Sequence, residues 1–174
     1  MRWCAIFKFP AMRVALLLAS AVLWTPNASP GQITEMGPAG GPGGSPFVDC
    51  GATVVDGALV RPVEVHVRAG DFIDAIEVIY SGGARSTRHG GLGGDLHIFR
   101  LGPDEYITDV AGKYAQFVNS LFIKTNKGRV QQWGGSGGNA QFSFSAPRGM
   151  SFNGFWGRSG VYLDAIGVCL LNPN

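Results

Sequence analysis

The sequence predicts an all-β domain in which three similar antiparallel sheets close around a common core. Two internal repeats and a lack of helical periodicity carry that prediction. The pentapeptide Gly-Gly-x-Gly-Gly occurs three times, at residues 40–44, 90–94 and 134–138, and self-similarity on this scale marks a fold assembled from like units. A second repeat is sharper. Residues 67–78 (Val-Arg-Ala-Gly-Asp-Phe-Ile-Asp-Ala-Ile-Glu-Val) match residues 157–168 (Gly-Arg-Ser-Gly-Val-Tyr-Leu-Asp-Ala-Ile-Gly-Val), both holding Gly-x-x-x-Asp followed by Ala-Ile. A faded third copy occupies residues 115–124, where Ala115 stands for the glycine and Asn119 for the aspartate. Beyond residue 30, no window of a dozen residues keeps the 3.6-residue apolar spacing of a helix without a glycine or proline interrupting it.

The strands follow in chain order. Each glycine pentapeptide leads into β-forming residues: Phe47-Val48, then Leu96-His97-Ile98-Phe99, then Phe142-Ser143-Phe144-Ser145 with clean apolar–polar alternation. Residues 63–68 alternate at period two, and residues 76–80, 107–110 and 121–125 read as further strands. Three such units packed together share one core and leave few open sheet edges.

The first thirty residues are a different kind of chain, for none of the 27 glycines precedes Gly31. Arg2, Lys8 and Arg13 come first, then an apolar run from Val14 to Trp24, then small and polar residues to Pro30. That is the layout of a secretory signal peptide, with cleavage expected between residues 21 and 31. The run falls short of the roughly 20 apolar residues a membrane helix needs. Residues 31–174 then make one secreted, extracellular domain with no membrane span. The formal charge of +2 belongs to the front segment: without its three basic residues the chain keeps 11 Lys and Arg against 12 Asp and Glu, a net charge of −1. No basic stripe remains to follow a phosphate backbone, which argues against nucleic acid and against an anionic membrane surface. Of the three cysteines, Cys4 lies in the front segment, leaving Cys50 and Cys169 near the two ends of the domain. In an oxidising compartment two such thiols suggest one disulfide. Two buried free thiols in neighbouring strands are the alternative.

The Gly-x-x-x-Asp segments carry chemistry. A glycine permits a tight backbone, successive amides can point one way, and the aspartate supplies a fixed carboxylate. A sugar hydroxyl can donate to that carboxylate while accepting from a backbone N–H, and a glycine pair alongside adds N–H donors with no Cβ in the way. An aromatic in the loop, Phe72 or Tyr162, would support the sugar's apolar face. A single such segment would read as an ordinary turn whose aspartate caps its own backbone. Two copies in phase with three glycine loops favour a binding site. None of the glycine loops opens a helix or precedes a Lys-Ser/Thr pair, so a phosphate cradle does not fit.

Taken together, residues 37–47 (Gly-Pro-Ala-Gly-Gly-Pro-Gly-Gly-Ser-Pro-Phe), 87–94 (Thr-Arg-His-Gly-Gly-Leu-Gly-Gly) and 154–167 (Gly-Phe-Trp-Gly-Arg-Ser-Gly-Val-Tyr-Leu-Asp-Ala-Ile-Gly) resemble the jacalin-related lectins, over nearly all of the chain from Gly31. The resemblance implies a β-prism I fold of three four-stranded Greek-key sheets with pseudo-threefold symmetry. It also implies sugar held where a Gly-Gly loop meets a Gly-x-x-x-Asp loop. Carried onto this chain, one site joins Gly44 to Gly160, Val161, Tyr162 and Asp164, with N–H donors from Val161 and Tyr162 and the carboxylate of Asp164. A second joins Gly94 to Gly70, Asp71, Phe72 and Asp74. The third unit offers Gly138 with Gln116, Phe117 and Asn119 but departs from the pattern: Asn119 has no charge, and Ala115 lacks the freedom of glycine. The galactose-preferring branch of the family resembles chains cut to expose a glycine amino group at the first site. Here Gly40 sits inside a continuous chain, so the resemblance is to the mannose-binding branch.

Other residues invite different readings. His66, His89 and His97 lack ligand-like spacing for a metal. Asp71 and Asp74 are paired carboxylates, yet they crowd one small loop, and nothing sequestered is evident to raise either pKa as glycosidase chemistry needs. Trp133 and Trp156 flank glycine regions and suit packing as well as ligand contact. The Asn27-Ala28-Ser29 sequon precedes a proline and is not expected to carry glycan. The expected function is reversible, metal-independent and cofactor-free binding of mannose- or glucose-type glycans or glycoproteins, without catalysis and with homo-oligomers as a route to avidity. The alternative is a secretory-granule or matrix packing protein that binds polyanionic glycans.

Overall fold

The computed structural model describes residues 32–50, 54–55 and 58–172; the signal-type segment, Cys4 and the Asn27 sequon lie outside the described residues. The chain runs through β1 (Ile33–Gly40), β2 (Ser45–Val48), a small ribbon of β3 (Val54–Val55) and β4 (Ala58–Leu59), β5 (Pro62–Ala69) and β6 (Ile73–Tyr80). It continues with β7 (His89–Gly90), β8 (Asp95–Arg100), β9 (Ile107–Tyr114), β10 (Val118–Thr125), β11 (Val130–Gly134) and β12 (Ala140–Ser145), then β13 (Ser151–Ser159) and β14 (Leu163–Leu171). A single 3-10 turn at Ser81–Gly83 is the helical content among the described residues.

Three four-stranded sheets result, with strand orders β1-β14-β13-β2, β7-β6-β5-β8 and β11-β10-β9-β12, antiparallel throughout. Each sheet has the same Greek-key plan: a central hairpin flanked by two strands that are consecutive in the chain. The link between the flanking strands must therefore cross over the end of the hairpin. The three-sheet prism expected from the sequence is present.

The predicted alternation is realised in β12 and over most of β5, while all nine residues of β14 are buried. Val65 and Val67 of β5, Ile76 and Val78 of β6, and Phe142 and Phe144 of β12 point into one shared core with Val110, Leu121, Ile123, Phe155, Ile166, Val168 and Leu170. Seven strands were not read from the sequence: β1, β7, β11, β13, β14 and the two short strands β3 and β4. β1 and β13 contain glycine or proline, which weaken strand signals, and β11 is short. In β13 the glycine has a packing reason: a Cβ on Gly154 would strike the Asp49 carbonyl. Both tryptophans pack. Trp133 is buried against the Phe99 edge at 5.8 Å, and Trp156 covers Gly167 while its indole N–H donates to the Met36 carbonyl (3.1 Å).

Cys50 and Cys169 form a disulfide, with Cα atoms 5.4 Å apart and 119 residues between them in sequence. Closing so long a loop removes much of the entropy of the unfolded chain, on the order of 3–5 kcal/mol in the chain-entropy account. Replacing both cysteines by alanine should lower the unfolding free energy obtained from urea titration by that amount while leaving the far-UV β spectrum unchanged; equal unfolding free energies for the two proteins would show that the bridge adds no stability.

Candidate functional site

At one end of the prism each sheet lays a glycine loop against a hairpin turn. In the first sheet the loop from Gly41 to Gly44 links β1 to β2 and crosses the turn that joins β13 to β14. The Gly41 N–H donates to the Asp164 carbonyl (2.9 Å), and the Gly160 N–H donates to the Tyr162 carbonyl (2.9 Å). The Asp164 side chain is buried directly beneath the glycine pair, so a Cβ on Gly43 or Gly44 would strike its carboxylate oxygens. Gly44 also has φ +63°, so both conformation and space require glycine there.

The second sheet repeats this geometry. Gly91 N–H donates to the Asp74 carbonyl (3.0 Å), Gly70 N–H to the Phe72 carbonyl (3.0 Å), and buried Asp74 lies beneath Gly93 and Gly94. Gly44 and Gly160 thus approach each other over Asp164, and Gly94 approaches Gly70 over Asp74; Val161 and Tyr162, or Asp71 and Phe72, lie in the turn between, and each such junction is a candidate cleft.

The third sheet repeats the loop-to-turn hydrogen bonds but enters its flanking strand one residue later, pairing Ala140 with Tyr114 where the others pair Ser45 with Ser159 and Asp95 with Ala69. Gly135 N–H donates to the Asn119 carbonyl (3.0 Å), Ala115 N–H donates to the Phe117 carbonyl (3.0 Å), and the buried Asn119 amide sits beneath Gly137 and Gly138. The expectation that Ala115 forfeits a needed freedom is corrected. Neither Gly160 nor Gly70 adopts a positive φ, and a Cβ there would find its nearest neighbours at 3.5 and 3.9 Å, ordinary contact distances. What the third loop lacks is the charge.

Two further expectations change. Burial raises the pKa of Asp164 and of Asp74 above the ordinary 3.8, with the Gly160 or Gly70 N–H and the Arg158 or Arg68 guanidinium opposing it. Asp74 is therefore sequestered after all, while Asp71 beside it is exposed. The aromatics expected to support a sugar, Phe72 and Tyr162, also meet across the sheets: with Phe117 they pack on one another at centroid distances of 4.9–5.8 Å and stay half-buried. The apolar surface next to the clefts is aliphatic, Val161 and Leu92, both more than two-thirds exposed.

In the first cleft Asp164 Oδ2 is buried without a hydrogen-bond partner in the protein, an arrangement that costs about 1–3 kcal/mol unless a donor satisfies it. A hydroxyl group is such a donor. The histidines belong elsewhere: His89 bonds Asp49 (2.7 Å) and stacks on Phe47, and His66 pairs with Glu64 (2.7 Å). The sequence reading passed over Arg68 and Arg158, whose guanidinium groups bond glycine-loop carbonyls. Their signal was the Arg-x-Gly shared by both copies of the long repeat.

The sequence model of the jacalin-like lectin domain matches residues 36–169. This chain belongs to the jacalin-like lectins. It is 38% identical over 151 residues to Jacalin-related lectin 19 of Arabidopsis thaliana, covering 79% of this chain and 80% of that one. The solved structure of Malaysian banana lectin is similar with a TM-score of 0.70 at 31% identity, over 82% of this lectin and 100% of the banana chain. An artocarpin–mannotriose complex gives 0.68 at 28% identity, over 82% and 99% of the two chains. The fold is the β-prism of a carbohydrate-binding family.

The buried carboxylates give a signed pH effect. A folded-state pKa raised above the unfolded value means that ionised Asp164 disfavours the fold once pH rises through the raised value, and that this cost vanishes below the ordinary 3.8. Asp164→Asn should therefore melt at a higher temperature than the parent near neutral pH and at nearly the same temperature around pH 3. Melting curves across that range check it; a difference that does not vary with pH would exclude the buried charge as its cause.

Proposed function

We propose that this protein is a secreted, metal-independent lectin that binds terminal mannose- or glucose-type sugars at two clefts and carries out no chemistry. One observation carries the proposal: two sheets each seat a buried aspartate beneath a glycine pair and beside a turn rich in backbone amides. Vicinal sugar hydroxyls can donate to the carboxylate and accept from N–H groups of Gly44, Val161 and Tyr162, or of Gly94, Asp71 and Phe72. Charge assistance makes the carboxylate bonds the strongest of the set. The mannotriose complex of artocarpin and the methyl-α-mannose complex of the same lectin support mannose as the sugar.

A disulfide supports export to an oxidising compartment, as does the signal-type segment ahead of Gly31. Hydrolysis of a glycosidic bond generally uses two carboxyl groups facing the same bond. Each cleft here offers one buried carboxylate, which favours retention of sugar over its cleavage. A monosaccharide held by a handful of hydrogen bonds should bind near 1 mM, about −4 kcal/mol. Two clefts, or association of chains, would raise avidity on branched glycans by about 10² to 10⁴.

The chain should be retained on mannose-agarose in EDTA, elute with methyl α-mannoside and ignore galactose. Asp164→Asn combined with Asp74→Asn should abolish retention and leave the fold intact. Flow-through of the folded parent, or release by galactose alone, would overturn the mannose assignment. Acid should weaken retention of the parent from a pH above the range of an ordinary aspartate, because protonation of Asp164 and Asp74 removes the strongest acceptors. Retention measured at stepwise lower pH checks this.

A further inference from the structure

We infer that Arg158 and Arg68 are positioning residues that aim the glycine-loop amides of the two carboxylate clefts. The inference rests on the reading of those clefts as sugar sites. Arg158 Nε donates to the Gly43 carbonyl (2.7 Å) and its Nη2 to the Gly44 carbonyl (2.6 Å). Arg68 does the same in the second sheet, Nε to Gly93 (2.8 Å) and Nη2 to Gly94 (2.7 Å). The same two nitrogens reach the same two loop carbonyls in sheets that share no strand. A planar guanidinium holds two acceptors in fixed geometry, which an ammonium does not.

Peptide planarity turns that clamp into an aiming device. Gly43 C=O and Gly44 N–H belong to one trans peptide and point in opposite directions. Fixing the Gly43 oxygen on Arg158 therefore fixes the direction of the Gly44 N–H, a donor that the cleft reading assigns to the sugar. Gly93 and Gly94 stand in the same relation to Arg68. The need for such a clamp is plain from the loop itself. Gly44 and Gly94 sit at φ +63° and +57° within glycine-rich runs that have many other conformations open to them. The same guanidinium is also the cation that opposes the effect of burial on Asp164 and on Asp74, so one side chain orients the donors and favours the ionised acceptor.

The third loop is a natural comparison. Arg158 pairs with Ala165 across its hairpin and Arg68 with Ala75; the matching residue is Lys113, paired with Ser120. Among the described residues no hydrogen bond joins the Lys113 side chain to Gly137 or Gly138. The loop that lost the carboxylate also lost the fork.

Amide-resolved NMR titration of the full chain with methyl α-mannoside reads each cleft separately, through Gly44 and Gly94. Arg158→Lys keeps the charge and removes the fork. It should move the Gly44 amide resonance in the free protein and weaken binding at the first cleft by about tenfold or more. Affinity at Gly94 and the melting temperature should stay close to those of the parent, and Arg68→Lys should give the mirror result. In the third loop, Asn119→Asp with Lys113→Arg should bind more tightly at Gly138 than Asn119→Asp alone. Parent-like affinity in Arg158→Lys would overturn the inference. So would equal losses at both clefts with a falling melting temperature, or an arginine that adds nothing to Asn119→Asp. Should the parent show no sugar-dependent shift at all, the sugar reading fails instead. The clamp then stands or falls on the free protein, where an unmoved Gly44 amide in Arg158→Lys would overturn it.

Discussion

The constraint on which this structure turns is the crossing of a two-strand link over the end of a hairpin, with an acidic side chain trapped beneath it. The Greek-key order of each sheet forces the crossing. At the crossing there is room for backbone but not for a Cβ: Gly40, Gly43 and Gly44 all press on Asp164 or its neighbours, and Gly90, Gly93 and Gly94 on Asp74 or its neighbours. Five-residue glycine runs are thus the steric consequence of the topology. The exposed amides that such runs provide are what make the crossing useful for binding hydroxyl-rich ligands.

The carboxylates show function set against stability. An aspartate under a glycine pair loses much of its hydration, and its raised pKa records the cost of keeping it ionised there. Asparagine occupies the equivalent seat in the third sheet with the same backbone hydrogen bonds and similar burial. The fold therefore does not need the charge at this position. Where the charge is kept, it is kept beside an arginine, and where it is lost the arginine is a lysine. That correlation, within one chain, links the acceptor to the groups that orient the donors.

Much of this was legible in the sequence because repetition reports topology. Three glycine pentapeptides and the repeated Gly-x-x-x-Asp pointed to three like units, while the resemblance to the jacalin-related lectins supplied the pairing of each loop with its turn, a pairing that the strand order places within single sheets. The parts that stayed hidden depend on contacts between units. Phe72 and Tyr162 looked available for a ligand because sequence shows each loop alone; in the prism they meet each other and Phe117 at the axis. Asp74 looked solvated because it shares a small turn with the exposed Asp71, whereas the glycines that cover its carboxylate, Gly93 and Gly94, arrive from a loop about twenty residues later. Proline and glycine in β1 are tolerated because β1 is an edge strand, a position that local propensity does not reveal.

The third loop keeps its glycines although its acid is gone, and the packing between sheets supplies the reason. A Cβ on Gly41 would meet the Gln116 carbonyl of the third turn, one on Gly91 the Val161 carbonyl of the first turn, and one on Gly135 the Asp71 carbonyl of the second. The three loops therefore lean on the three turns in a closed cycle, each glycine loop bracing the turn of a neighbouring sheet, with the aromatic trio filling the centre. Gly135 is needed so that the Asp71 turn of the second cleft can sit where it does, whatever the third loop itself binds. Steric demand from a neighbour can thus hold a motif in place after its own side-chain chemistry has been lost, which is why the glycine repeat persists in three copies while the aspartate persists in two.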